Sequence, residues 1–393
     1  MSLLRQTAEI TRVGLSTLPQ RRGPAAVIVV GIAGVVAVLV ALLAMAEGFR
    51  TVLVESGRMD EAIVLRKGAT AELNSTISRA HAALVAQVPG IARSAAGTAI
   101  LSPEVVVVAN LPKKATGTDA NVQIRGVNAA VWDLRSSVVL TSGRRFTPGL
   151  RELVVGAGAR QQFQGLSVGS VVRLANGDWT VVGEFRSGDT HDSELWGDAE
   201  AVMSTYRRNA FQSITVKLAD ADAFDAFVAG IATDRRLELD VERTRDYYAG
   251  QSEELTRVIR VLGLIIASIM AVGAVFGALN TMYTAVAIRA REIATLRAIG
   301  FPALPVVASV LAEAALLATA GGLAGGTLAW LLFDAYEVST LGSNFSQVVF
   351  AFRVTPALLA QGLAWALAIG LAGGLLPALK AARQPVAVAL REL

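Results

Sequence analysis

The residues that could do chemistry together lie in one short polar segment, 188–194, which reads GDTHDSE. His191 lies there between carboxylates, and such nitrogen and oxygen atoms bind a metal ion when they converge on one point. A solvated polar loop is the alternative, and it is the interpretation we favour because neighbours in sequence do not have to converge. Ser193 does not form a nucleophilic triad with His191, since triad members assemble through space rather than by adjacency. We therefore predict no catalytic and no metal-ligating residue here.

Nucleotide binding has equally little support in the residues. The sequence contains no G-x-x-x-x-G-K-[ST] segment, whose backbone N–H groups would hold phosphates. Gly156 and Gly158 follow a strand-like run, but the third glycine and the downstream acidic residue of a dinucleotide site are missing, so we interpret the pair as a turn. The residues predict no cofactor in this chain and do not indicate an enzyme.

Long charge-free stretches dominate the sequence instead. Of its 393 residues, 53% are hydrophobic and 17% are charged, whereas ordinary soluble domains carry about 25% charged residues. Four stretches reach the roughly 20 apolar residues that cross a bilayer as a helix. We predict transmembrane helices at 24–46, 258–283, 304–333 and 356–379. The first has a longer apolar run than the roughly 7–15 residues of a signal peptide, so we expect a retained anchor.

Basic residues are distributed unevenly among the short segments outside these helices. Segment 1–23, an expected amphipathic helix, carries four arginines; the loop 284–303 and the tail 380–393 carry three basic residues each; the external loop 334–355 carries one. Positive residues mark the cytoplasmic side. We therefore expect a multi-pass membrane protein with both termini in the cytoplasm and with 47–257 outside. The basic balance follows from this topology and does not indicate a nucleic-acid partner, which would need a basic face on a soluble domain.

The segment 47–257 mixes strand-like and helix-like patterns. Short β-branched runs alternate with helical runs, and Asn176-Gly177 between two strand-like runs predicts a hairpin with a tight turn. We expect an α+β body with a β-rich middle near 125–190, held by packing because the chain has no cysteine. The predicted fold class is an α-helical membrane protein with four transmembrane helices, plus a large α+β extracytoplasmic domain inserted between helices 1 and 2.

A short charged helix is predicted between the second and third membrane helices, where 288–301 reads IRAREIATLRAIGF. At 3.6 residues per turn one narrow face is apolar and comprises Ile293, Leu296, Gly300 and the stem of Arg289. Charged residues accompany this face, namely Arg291, Glu292 and Arg297. The side predicted to point away consists of Ala294, Thr295 and Ala298. A helix lying on the bilayer is one interpretation, but a narrow apolar face with charged edges favours a protein groove with a polar rim.

Small residues recur four positions apart in three of the membrane helices. The residues concerned are Gly273 and Gly277 in the second helix, Gly321, Gly322, Gly325 and Gly326 in the third, and Gly370 and Gly374 in the fourth. Such spacing lets helix backbones approach closely, either within this chain or between two subunits. Glu313 is the acidic residue inside a span, and it either has a functional role or reaches interfacial water.

The stretch REIATLRAIG at 291–300 resembles the cytoplasmic coupling segment of MacB/FtsX-type ABC transporter permeases. Further similarities are the basic N-terminal segment, Glu313 followed by the glycines of the third helix, and the tail that begins at Pro377. In the exterior segment, Ile124-Arg-Gly126-Val-Asn, Ser142-Gly143-Arg-Arg-Phe146 and Val181-Val-Gly183 are also similar to this family. The resemblance covers essentially the whole chain.

The resemblance implies a permease subunit of the bacterial cytoplasmic (inner) membrane that acts by mechanotransmission. A cytoplasmic ABC ATPase would bind ATP and Mg²⁺, and with about 23 residues before the first span we expect that ATPase to be a separate chain. A second permease copy, identical or paralogous, would pair with this one among the membrane lipids. A periplasmic adaptor and an outer-membrane duct are further partners that the family implies.

Two functions remain open at this point. The first is export or extraction of a lipid, lipoprotein, peptide or amphiphilic drug. The second is an FtsX-like regulator that transmits ATPase motion to a cell-wall hydrolase or a signalling partner. The large exterior domain favours the first, because the family's cell-wall regulators tend to have smaller ones.

Overall fold

In the computed structural model of the protein, residues 11–12, 22–299, 302–342 and 345–383 are described, without the side chain of Leu296. Most of the expected N-terminal amphipathic helix (1–23), Gly300 and the tail beyond residue 383 thus lie outside the described residues. The chain divides into two units. The membrane unit consists of the described residues of 1–47, 255–336 and 352–393, and the inserted unit consists of those of 48–254 and 337–351.

Helices α1 to α10 follow one another along the chain. They are α1 (Arg22–Glu55), α2 (Arg79–Val85), α3 (Val131–Leu134), α4 (Ala157–Gln162), α5 (Ala199–Tyr206), α6 (Ala223–Thr233), α7 (Thr244–Ile288), α8 (Ala290–Ala298), α9 (Ala303–Phe333) and α10 (Pro356–Arg383). Short 3₁₀ turns occur at Glu72–Asn74 and Thr190–Ser193.

Within the described residues, four helices are long and apolar enough to cross a membrane: α1, α7, α9 and α10. Each predicted transmembrane segment lies inside one of them. Their polar backbone groups are satisfied within each helix, which is what a hydrocarbon environment requires of a spanning segment. The predicted four-helix membrane architecture is therefore confirmed.

Glycines allow α9 to pack closely against two other helices of the membrane unit. A Cβ atom built on Gly325 would lie 2.4 Å from the backbone oxygen of Ala33 in α1, and one on Gly370 in α10 would lie 2.4 Å from the Cβ of Ala318 in α9. The same kind of close approach occurs at Gly321, Gly322, Gly326 and Gly374. These positions are helix-packing contacts within the chain. Gly273 and Gly277 differ, because a Cβ there would meet no atom within 4 Å.

The inserted unit is built on strands β1 to β10, and a separate pair, β11 and β12, also belongs to it. The strands are β1 (Glu61–Arg66), β2 (Leu101–Pro112), β3 (Asp119–Val127), β4 (Val139–Gly143), β5 (Glu152–Gly156), β6 (Val171–Leu174), β7 (Gly177–Arg186), β8 (Glu194–Asp198), β9 (Ser213–Lys217), β10 (Leu239–Arg243), β11 (Glu337–Leu341) and β12 (Gln347–Ala351).

Strands β1 to β10 form one mixed sheet. Its order is β10-β1-β9-β2-β3-β8-β5-β7-β4, with β6 paired to β7. The pairs β3/β8 and β5/β7 are parallel and the other pairs are antiparallel. Part of the sheet is covered on both faces, as in β5, where Leu153 and Val155 belong to one apolar core and Val154 to another. Consecutive apolar residues in this strand are therefore explained by burial on both sides.

One sequence prediction for the inserted unit needs correction. Besides the strands near 125–190, β1, β9 and β10 belong to the same sheet, which they join through the pairing of β9 with β2. The hairpin β6–β7 is present, but its register pairs Leu174 with Gly177, so the connecting residues are Ala175 and Asn176. Ala175 rather than the glycine adopts a positive φ of 47°.

Replacing Gly325 by valine should separate α1 from α9, because the new side chain would overlap the Ala33 carbonyl. Overpacking of this kind costs about 1–3 kcal/mol or more, so we expect a lower unfolding temperature for the detergent-solubilised chain. Gly273→Val, the matched change at an unobstructed position, should leave that temperature nearly unchanged. Equal effects of the two substitutions would contradict the assigned packing.

Candidate functional site

The charged helix predicted between the membrane helices exists as α8, directly after α7. Ile293 and Ala294 are 5% and 4% exposed, and Ile293 belongs to the apolar core of the membrane unit. Thr295 and Ala298 are exposed, as are Arg291 and Glu292.

The predicted orientation of α8 was therefore wrong at two positions. Ala294 was expected to point away from the packed side but is buried, and Ile293 packs inside its own chain rather than being offered to a partner. The error arises because the wheel shows which residues share a face, whereas only tertiary packing decides what covers that face. Gly300 and the side chain of Leu296, which were predicted on the same face, lie outside the part of the chain that the structure describes.

A buried ionic contact joins α8 to α9. Arg289 Nη1 lies 3.5 Å from Glu313 Oε2, and Arg289 Nε lies 3.3 Å from Glu292 Oε2. Arg289 and Glu313 are 7% and 4% exposed. Charged groups at such depth are costly unless paired, so the Glu313 that the sequence singled out is the partner of Arg289. Arg297 Nη1 also donates to the Ala382 carbonyl at 2.6 Å, which ties α8 to α10.

The polar segment 188–194 is not a solvated loop. Residues Thr190–Ser193 form a 3₁₀ turn in which His191 is 1% exposed, with its Nδ1 2.8 Å from Asp189 Oδ1. No cluster of three or more possible metal-ligating side chains occurs among the residues that the structure describes. Gly156 lies at the junction of β5 and α4, where a Cβ would lie 2.3 Å from the Asp192 carbonyl oxygen. Close backbone approach, rather than a phosphate, explains the glycine.

The strongest charge network of the inserted unit surrounds Arg125, which is 1% exposed. Its Nη1 donates to Glu72 at 2.7 Å and Glu104 at 2.6 Å; its Nη2 donates to Glu72 at 3.0 Å and Glu194 at 2.9 Å; its Nε donates to Glu194 at 2.9 Å. These five bonds use the five N–H donors of a guanidinium. Arg125 thus connects three carboxylates from three separate segments. We call these residues, together with Arg135, the Arg125 cluster.

Arg135 completes the charges of the cluster by pairing with Glu104 at 2.8 Å. Burial by itself would raise the pKa of Glu104, but the attraction of Arg135 and Arg125 outweighs it and lowers that pKa to about 2. Burial likewise opposes ionisation of Glu194, yet Arg125 holds its pKa below the ordinary value. Both carboxylates therefore stay ionised at neutral pH.

The sheet register brings the cluster together. Gln123 and Arg125 stand two residues apart on β3 and so face the same side; Gln123 is paired with Glu194 of β8. On the other side of β2, Glu104 is paired with Ser213 of β9, whose Oγ donates to Glu72. The sequence analysis missed this cluster, although isolated charges within apolar strands were a signal that could have found it.

Three chain segments that lead to membrane helices border the cluster. A cavity of about 50 Å³ lies beside Arg125, Gln123 and Glu194, with room for a few water molecules. Its other lining residues come from the end of α1 (Leu53), the turn before β8 (Thr190, Ser193), the start of α7 (Tyr247, Tyr248, Gln251) and the β11–β12 hairpin (Gly342, Ser346, Gln347, Val348). The hairpin, residues 337–342 and 345–351 as described, is called the strap below. The connections into and out of the inserted unit thus meet at one polar site.

Arg125→Met should strongly destabilise the inserted unit, because it leaves three buried carboxylates without their common partner. Removing one member of a buried ion network costs about 3–5 kcal/mol. Arg144→Met is the matched control, since Arg144 is 56% exposed in its pair with Glu152 and exposed pairs contribute about 0–1 kcal/mol. Urea unfolding of the full chain, followed by tryptophan fluorescence, should separate the two variants. Similar unfolding midpoints would show that the cluster does not stabilise the unit.

Two family models match this sequence. The MacB-like periplasmic core domain matches residues 25–233, and the FtsX-like permease C-terminal domain matches residues 264–386. A macrolide export ATP-binding/permease protein, MacB 1/2 of Paracoccus denitrificans, is 29% identical over 342 residues, which are 81% of this chain and 48% of that protein. The chain thus spans about half the length of this relative.

Solved structures of exterior domains are also similar. The periplasmic region of MacB from Actinobacillus actinomycetemcomitans is 14% identical, with 48% of this chain and 90% of that chain covered and a TM-score of 0.36. The extracellular domain of the noncanonic ABC-type transporter YknZ from Gram-positive bacteria is 15% identical, with 47% and 100% covered and a TM-score of 0.34. The first family model covers more than half of the chain, from α1 through α6, and the second covers most of α7 and all of α8 and α9. The chain therefore belongs to the MacB/FtsX-type family of ABC transporter permeases.

Proposed function

We propose that this chain is the permease subunit of an ABC transporter of the mechanotransmission type. A separate cytoplasmic ATPase binds ATP and Mg²⁺, and its motion reaches the periplasmic domain through the membrane helices. The cargo class is a lipid, lipoprotein, peptide or amphiphilic drug that is exported or extracted from the membrane. The observation that carries this proposal is α8, a short charged helix joined to α9 by the buried Arg289–Glu313 contact.

The fixed position of α8 supports its role as the coupling helix. Arg289 connects it to α9 and Arg297 to α10, so a push on α8 is passed to both helices rather than absorbed by a loose loop. In this proposal α8 and both termini lie in the cytoplasm, as the excess of basic residues there indicates.

The exposed face of α8, opposite Ile293, is the one proposed to meet the ATPase. It comprises Arg291, Glu292, Thr295 and Ala298, and it is adjoined by the exposed Ile288 at the end of α7 and Ile299 directly after α8. Ile288 and Ile299 are 66% and 70% exposed. Burying such a side chain contributes about 1.5–3 kcal/mol, whereas an exposed ion pair contributes about 0–1 kcal/mol. We infer that the two isoleucines supply most of the docking energy and that the charges select the partner.

Thr295→Asp should release the ATPase, because it places a charge between the two exposed isoleucines. We expect at least a tenfold loss of co-purifying, vanadate-sensitive ATPase activity from native membranes, while the permease still inserts. Thr141→Asp, the same change at an exposed position of the inserted unit, should retain the ATPase. Ile293→Asp should instead lower the yield of folded chain, since that residue is core. Retention of the ATPase by Thr295→Asp would show that this face does not dock.

The second permease copy is proposed to pack along α7. In the most apolar 18-residue stretch of α7, 17% is buried inside the chain, whereas 39–44% is buried in the corresponding stretches of the other three spanning helices. Six of its exposed apolar residues follow a four-three spacing, namely Val258, Leu262, Ile265, Ile269, Val272 and Phe276, and Val261 and Ile266 are exposed beside them. This is the heptad spacing by which two helices interdigitate. Gly273 and Gly277 lie next to the same stripe, and a Cβ atom built on either would meet no described atom outside α7 within 4 Å.

A cysteine at position 269 should cross-link two copies of the chain, because paired helices bring equivalent stripe residues together. The natural sequence has no cysteine, so a disulfide-linked dimer on a non-reducing gel reports this site alone. Leu331→Cys on α9, whose side chain is 67% exposed like the 68% of Ile269, is the matched control and should remain monomeric after oxidation in native membranes. Cross-linking at 331 but not at 269 would move the subunit interface to α9.

A further inference from the structure

The strap is the part of the inserted unit that is least integrated into its fold. Strands β11 and β12 pair only with each other among the described strands and do not join the ten-stranded sheet. A two-stranded hairpin is marginally stable on its own in water. Its conformation therefore depends on what it rests against.

The strap contacts the rest of the inserted unit through a few hydrogen bonds. Val349 N donates to Ser193 Oγ at 2.8 Å, and Asn121 Nδ2 donates to the Phe345 carbonyl at 2.7 Å. Ser346 Oγ donates to Gln123 Oε1 at 3.4 Å, and Lys113 Nζ donates to Gln347 Oε1 at 3.3 Å. Each of these bonds joins a residue of the strap to one outside it: Asn121 and Gln123 in β3, Lys113 directly after β2, and Ser193 in the turn before β8.

One aromatic side chain anchors the strap. Phe350 is 2% exposed and meets Phe49 edge-on, with ring centroids 5.4 Å apart. Apart from Phe350, the strap's two strands are half-buried or exposed. One buried ring and a few polar bonds thus connect the strap to the rest of the inserted unit.

The groups beneath the strap are those of the Arg125 cluster. Gln123, which accepts from Ser346, donates through Nε2 to Glu194 at 2.6 Å, and Glu194 is bound by Arg125. Ser346, Gln347 and Val348 line the same cavity as Arg125 and Glu194. Water that entered there would compete for charges that are now fully paired within the protein.

We propose that the strap is a reversible lid over the Arg125 cluster. In the closed state its bonds to Ser193 and Gln123 are made and Phe350 is seated on Phe49. In the open state these contacts break together, water enters the cavity, and Gln123 and Glu194 become hydrated. The strap follows α9 and precedes α10 along the chain. It is therefore the segment of the inserted unit to which these two helices are directly connected.

A single cysteine beneath the strap tests this lid in the full-length chain, reconstituted in lipid nanodiscs without nucleotide. Ser193 is 3% exposed and contacts the strap, so Ser193→Cys should react with a hydrophilic maleimide at least tenfold more slowly than Ser167→Cys, which replaces an exposed serine. Adding Asn121→Ala or Phe350→Ala to the Ser193→Cys chain should accelerate its labelling severalfold. Asn176→Ala, the same substitution at the exposed tip of the β6–β7 hairpin, should not.

A cysteine replacing Ala62, which is fully buried in β1, distinguishes opening of the lid from general unfolding. With a working lid, the strap substitutions leave labelling at position 62 slow while labelling at position 193 rises. The proposal is overturned if the cysteine at 193 reacts as fast as the one at 167 from the start, if the strap substitutions leave its rate unchanged, or if they accelerate position 62 equally. None of these measurements depends on the ATPase, so their result stands apart from the transport proposal.

Discussion

The inserted unit depends on the full satisfaction of one guanidinium. Arg125 uses its five donors on Glu72, Glu104 and Glu194, which come from a 3₁₀ turn, from β2 and from β8. A buried charge without such partners would be strongly unfavourable. The charged side chains of the three segments can therefore be buried only when all of them pack around Arg125. The cluster therefore acts as a requirement on register: a slip of one residue in β3 would turn Arg125 to the other face of the sheet.

The helices of the membrane unit are held together mainly by close packing rather than by a charge network. Its helices gain little from burying apolar surface, since lipid is apolar too, and they associate through close packing of small residues. Gly325 against α1 and Gly370 against α9 supply that packing. Polar contacts are added where a charged helix adjoins the spanning ones, among them the buried ionic contact between Arg289 and Glu313. Each unit thus combines an apolar core with buried charged contacts. These contacts are the Arg125 cluster in the inserted unit and the Arg289–Glu313 pair in the membrane unit.

This arrangement supports the transmission of movement that we propose. Rigid elements pass a displacement on, whereas loosely held segments absorb it. The helix α8 is held to α9 and α10, and the start of α7 is held to the inserted unit through Tyr247, whose hydroxyl accepts from Glu72 N at 3.1 Å. The strap differs because a small number of contacts holds it, which makes it the natural place for a change of state within an otherwise firm domain.

The sequence by itself determined the membrane helices, the inserted domain and the position of the charged helix α8. It could do so because the length of an uncharged stretch and the number of basic residues in a loop depend only on neighbouring residues in the chain. Several strands and the β6–β7 hairpin were likewise predictable from alternation and turn residues, within a residue or two.

Tertiary structure decided the rest. Which face of α8 is covered depends on neighbours that lie 20 or more residues away, so Ala294 and Ile293 could not be placed from a helical wheel. His191 was expected in a solvated loop and is buried, because α4 and the strap cover a segment whose own residues are polar. The Arg125 cluster assembles residues 72, 104, 125 and 194 through strand order and register, and neither is encoded in the spacing of those residues. Long-range pairing, which creates buried charge networks, is a property of the fold rather than of any segment.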